Sequence, residues 1–110
     1  MNPVQREEAG RILAAYMDIY RAKPYVDLLP LLRNPGQHRA FGASGREYHV
    51  EVAAVWVDEV RGHLRVYGGI DAGGLTAWLH IRSMLSSFVI RPNGRIADER
   101  RRSRRWLPWR

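Results

Sequence analysis

Apolar and polar positions change period once along this chain, and the change divides it. Up to Pro24 the apolar side chains recur at helical spacing. Val4, Ile12, Tyr16, Ile19 and Tyr20 fall near one stripe, with Leu13 and Met17 beside it. The boundaries fit a helix. Asn2 suits the N-cap, Pro3 has the φ of a first helical residue, and Gln5 is placed to reach back to the cap. Glu7 and Glu8 lie early, and Arg21 and Lys23 late, as the helix dipole prefers. Pro24 ends the element. Tyr25 to Leu32, interrupted by Pro30, reads as a short helix or a single turn, and Asn34-Pro35-Gly36 as a turn. The segment on through Gly42 and Gly45 has no readable period and is expected to be a loop.

From Arg46 the period becomes two. Tyr48, Val50, Val52, Ala54 and Trp56 share one face of a strand, and His49, Glu51, Ala53 and Val55 share the other. A turn over Asp58 to His63 contains Gly62. A second strand alternates Leu64, Val66, Gly68 and Ile70 with Arg65, Tyr67 and Gly69. Asp71-Ala72-Gly73-Gly74 predicts a tight hairpin built on positive-φ glycines. A third strand sets Leu75, Ala77, Leu79 and Ile81 against Thr76, Trp78 and His80. Ser83 to Ser87 is read as a polar connection, Phe88-Val89-Ile90 opens a fourth strand, and Pro92-Asn93-Gly94 turns the chain back toward Ile96. The expected class is α+β: an N-terminal helix, or two, packed on one face of a four-stranded or five-stranded antiparallel meander sheet. Residues 1–98 form the single domain and 99–110 a C-terminal tail rich in Arg and Trp.

From Tyr48 to Glu99 the chain resembles a family of small uncharacterised bacterial proteins. The resemblance is carried by Tyr48-His49-Val50-Glu51-Val52, Trp56, Leu64-Arg65-Val66, Gly68-Gly69-Ile70-Asp71 and Gly73-Gly74. It continues through Ala77, Phe88-Val89-Ile90, Pro92-Asn93-Gly94 and Glu99. Family members often place acids directly after the tryptophan and Asp-Gly in the last turn. Here Val57 separates Trp56 from Asp58, and Asn93 stands in place of the acid. The resemblance implies the strand order and no activity.

Composition narrows the chemistry. At 110 residues the chain has room for one core. Its 45% apolar content is that of a folded globule, and it has no cysteine. Disulfides, thiol catalysis and thiolate metal sites are thereby excluded, and a reducing cytoplasm is the expected setting. No signal peptide is expected at a start interrupted by Arg6, Glu7, Glu8 and Arg11, and no membrane span is expected. The net charge of +7 comes from the end of the chain. Arg100, Arg101, Arg102, Arg104, Arg105 and Arg110 set aside, twelve basic and eleven acidic residues remain. The body is close to neutral.

Two surfaces are candidates for function. If Val50, Val52, Val66, Ala77 and Leu79 face the helices, then His49, Glu51, Arg65, Tyr67, Trp78 and His80 line the opposite sheet face. Two aromatics among an acid, an arginine and two histidines suit a protein partner, a second copy or a polar ligand. The plain alternative is a solvated face where Arg65 pairs with Glu51 and Tyr67 packs on Trp78. The second surface is the tail, whose arginines with Trp106 and Trp109 suit a polyanion such as nucleic acid. His38, His49, His63 and His80 lack metal-ligand spacing, so no metal or cofactor is expected. Asp71 with Gly73 and Gly74 reads as turn chemistry, and the serines at 83, 86 and 87 form no nucleophile motif. The expected function is therefore non-enzymatic. It is an accessory or inhibitor-type (immunity-like) interaction module acting through the exposed sheet face, with polyanion binding through the tail as the alternative.

Overall fold

In the computed structural model, which describes residues 3–71 and 84–97, a long helix lies across one face of an antiparallel sheet. Helix α1 runs Pro3–Arg21, α2 Tyr25–Leu28, and a 3-10 turn Leu29–Leu32 follows it. The strands are β1 Gly36–Phe41, β2 Glu47–Asp58, β3 His63–Asp71, β4 Met84–Ile90 and β5 Ile96–Ala97. Among the described residues they form one sheet in chain order, every neighbouring pair antiparallel. The α+β class and the placement of the helix on one sheet face are as the periodicity predicts.

Helix α1 starts at Pro3 and ends before Pro24, as expected, while Asn2 lies outside the described residues. Its buried stripe is Ala9, Leu13, Met17 and Tyr20. Ile12 and Tyr16 pack at the margin of the core, and Val4 and Ile19 are exposed. The stripe is thus rotated from the expected one by about one residue, with Leu13 and Met17 turned toward the sheet. Close approach explains the choice. A Cβ on Gly68 would stand 2.6 Å from the Met17 sulfur and 3.4 Å from Leu13 Cδ1. The helix therefore lies against bare backbone in β3.

Facing α1, the sheet contributes Tyr48, Val50, Val52, Leu64, Val66, Ile70, Phe88 and Ile90, all at 0–1% exposure. Val50, Val52 and Val66 are where the alternation puts them. Ala77 and Leu79, the expected hairpin at Gly73 and Gly74, and the expected third strand lie outside the described residues. Among the described residues the sheet is an antiparallel meander, as expected, but the strand beside β3 is not the expected one. β3 has β2 on one side and β4 on the other, Ile70 opposite Met84 and Leu64 opposite Ile90. The partner of β3 is thus the Phe88 strand, which begins at Met84 and includes the serines read as a connection. Ser86 stands opposite Gly68, where the nearby helix leaves little height for side chains. Small residues there broke the apolar signal.

β1 is the second correction, since its residues were read as loop. Its helix-side positions are Gly36, His38 and Ala40, of which only His38 is large. Its ring stacks on Tyr16 at 4.5 Å between centroids, and its Nε2 meets the Tyr20 hydroxyl at 2.8 Å. Two tyrosines of α1 supply what an apolar strand would carry itself. Val57 is the inserted residue of a β-bulge: Trp56 stands opposite Leu64 and Asp58 opposite His63. The Gly94 turn forms as predicted, with φ +88° and a bond from its N–H to the Arg91 carbonyl at 2.8 Å.

Candidate functional site

Alternation on β2 and β3 decides which side chains leave the core. With Val50, Val52 and Val66 turned under α1, His49, Glu51, Arg65 and Tyr67 must emerge on the other face, and all four are half-buried there. Register then fixes their neighbours. Tyr67 lies between Ala53 and Ser87. Arg65 lies between Val55 and Val89, and its Nη1 reaches Ser87 Oγ at 3.5 Å. Glu51 lies between Gln37 and Gly69, and His49 between Arg39 and Asp71.

The expected Arg65–Glu51 pairing does not follow from this register. Glu51 stands opposite Gly69, four residues along β3 from Arg65, so the two are not cross-strand neighbours. The face is graded instead. Around Tyr67 it is more apolar: Val55, 44% exposed, lies opposite Arg65, and Leu85, 65% exposed, lies opposite Gly69, each diagonal to Tyr67. Its other part is charged, with Arg39 Nε donating to Glu47 at 2.7 Å. Trp78, His80 and all the tail residues, Arg100 to Arg110, lie outside the described residues.

Sequence reasoning missed Gln37, Arg39, Leu85 and Ser87 on this face. Leu85 was legible once β4 was allowed to begin before Phe88, since Leu85, Ser87 and Val89 alternate correctly with Ser86, Phe88 and Ile90. Arg39 had only the weak signal of Gln37, Arg39 and Phe41 alternating with Gly36, His38 and Ala40.

A separate polar knot holds the helix to the β1–β2 loop. The Glu8 carboxylate accepts from Ser44 N at 2.9 Å, Ser44 Oγ at 2.8 Å and the buried Tyr48 hydroxyl at 2.8 Å. The backbone bond from Ser44, then the Tyr48 and Ser44 hydroxyls, hold Glu8 below the ordinary carboxylate range. Burial, then the bond to Glu8, pushes the Tyr48 phenol up. A side chain on Gly42 would collide with the Glu8 carboxylate. The knot borders an open cleft of about 510 Å³ between α1 and the loop, lined in part by Val4, Arg11 and Ile12. Its donors are already used by Glu8, so the knot is a structural clasp. Burial, with a smaller effect from His49, lowers the His38 pKa.

Among the described residues no group of three or more His, Asp or Glu is placed to hold a metal ion, and no helix is long and apolar enough to cross a membrane. Family models, curated proteins and solved structures were all compared with the chain, and none matches it.

Proposed function

We propose that the protein is a non-enzymatic interaction module, of accessory or inhibitor type, that recognises a protein partner through the open sheet face in the cytoplasm. One observation carries the reading. α1 covers one face of the sheet, while the other presents half-buried Tyr67 with exposed Val55 and Leu85 on its two diagonals and Arg65 opposite Val55, with no described element packed over them. An aromatic and an arginine next to aliphatic side chains on a rigid sheet is the composition of an interface centre. The charge of the Arg100–Arg110 tail supports the second reading, polyanion binding.

Affinity capture from native lysate, with and without nuclease, separates the two. The baits are the full chain, Tyr67→Glu, Leu85→Arg and, as control, Ala15→Glu on the exposed side of α1. The proposal expects a nuclease-resistant protein partner that Tyr67→Glu and Leu85→Arg lose and Ala15→Glu keeps. Capture indifferent to the open-face substitutions, or abolished by nuclease, contradicts it.

A further inference from the structure

The edge of the sheet at β1 poses a question separate from the open face. Gly42 donates to the Arg46 carbonyl at 2.9 Å, which sets the phase of the β1–β2 ladder. By antiparallel alternation Gly36, His38 and Ala40 direct their backbone groups to β2, and Gln37, Arg39 and Phe41 direct theirs outward. Among the described residues no strand pairs with that outer side. Proteins that remain monomeric guard such edges with proline, lysine or a bulge. Gly36–Phe41 contains neither proline nor lysine, and its pairing with β2 is unbroken. Its one cation, Arg39, is engaged by Glu47, while the Phe41 side chain is 62% exposed.

We propose that β1 pairs antiparallel with β1 of a second copy, Ala40 opposite Ala40, so that two sheets join into one. Any register centred on a residue keeps α1 of both copies on the same side. Centring on Arg39 sets two guanidinium groups against each other, which is unfavourable for a direct cross-strand pair. Centring on His38 opposes two imidazoles, each already stacked under Tyr16 and bonded to Tyr20. Centring on Ala40 brings two methyl groups together on the helix side. On the other side it sets Arg39 against the exposed Phe41 of the second copy, twice, as cation–π pairs. That register alone matches a cation to an aromatic without opposing like groups. The pairing uses the edge, and stands or falls independently of what the open face binds.

A chain without cysteine allows a direct test. In the chosen register the Ala40 pair is a non-hydrogen-bonded one, close enough for a disulfide. Sedimentation velocity over a concentration series should give the mass of two chains. Under mild oxidation Ala40→Cys should cross-link, and His38→Cys and Arg39→Cys should not. Phe41→Arg, which opposes Arg39 with a like charge, should sediment as one chain with its melting transition unchanged. A single-chain mass for the unsubstituted protein at every concentration overturns the proposal. So does cross-linking through 38 or 39 in place of 40, or a Phe41→Arg protein that still pairs.

Discussion

The two faces of the sheet are built from alternate residues of the same strands, yet they differ in every physical respect. Under α1, side chains from three strands are 0–1% exposed, packed with Leu13 and Met17, and α1 comes close enough that a Cβ on Gly68 would crowd the Met17 sulfur. On the other face His49, Glu51, Arg65 and Tyr67 are half-buried, and Val55 and Leu85 lie open. Apolar area removed from water contributes roughly 25 cal/mol per Å², so stability is concentrated on the helix side. A sheet covered on one side assigns alternate residues of one strand to a packed core face and to an open face, and the proposed recognition would fall to the open one.

Several substitutions would break this contrast if it is wrong. Phe88→Ala, which empties a core site and removes the ring under the Arg21 guanidinium, should cost about 3–5 kcal/mol in denaturant melts. Val66→Ala or Val52→Ala should cost about 1–3 kcal/mol, and a silent result would remove them from the core. Gly68→Ala should be destabilising by a similar 1–3 kcal/mol or so, because the new methyl must push back the Met17 sulfur; in a Met17→Ala background, itself less stable, the same glycine substitution should cost less. The smallest effects belong to the open face, where Leu85→Ser should shift stability by only about 0.5 kcal/mol.

The clasp adds a pH dependence to the helix side. Glu8 has a lowered pKa in the fold, so its contribution is present in full above the ordinary carboxylate range and is lost as pH falls through the lowered value. His38, whose pKa burial lowers, acts in the same direction at higher pH. Its contribution is complete above the ordinary imidazole range and declines as pH falls below it, since the unfolded chain binds the proton more readily. Melting temperature against pH should therefore fall in two steps on acidification, with Glu8→Gln flattening the lower and His38→Gln the upper. A profile unchanged by either substitution would mean these contacts do not hold α1 to the sheet.

The helix-covered face was largely legible in the sequence, because its burial follows a strict period of two from Tyr48 to Ala54 and from Leu64 to Gly68. Reading failed where another element supplied the apolar contact. β1 carries His38 where an aliphatic residue was awaited, and Tyr16 and Tyr20 of α1 complete it. The start of β4 was hidden because Ser86 lies where α1 crosses close over Gly68. Four of the six candidate sheet-face residues emerge together as alternation requires. Their pairing was not legible, because register depends on loop lengths and on the Val57 bulge, which no side-chain period reveals. The clasp joins Glu8 to Ser44 and Tyr48 across 36 and 40 residues of chain, beyond the reach of any local pattern.

Val66 and Tyr67 are adjacent in β3 and belong to opposite faces, so they offer the most direct comparison. The measurement is partner capture by Val66→Ala and Tyr67→Ala, made beside a denaturant melt of each, well below either melting temperature. Val66→Ala should lose about 1–3 kcal/mol of stability and still capture the partner. Tyr67→Ala should stay within about 1 kcal/mol of the parent and capture nothing. A Tyr67→Ala protein that is strongly destabilised, or that captures the partner as well as the parent does, would contradict the division of labour between the two faces.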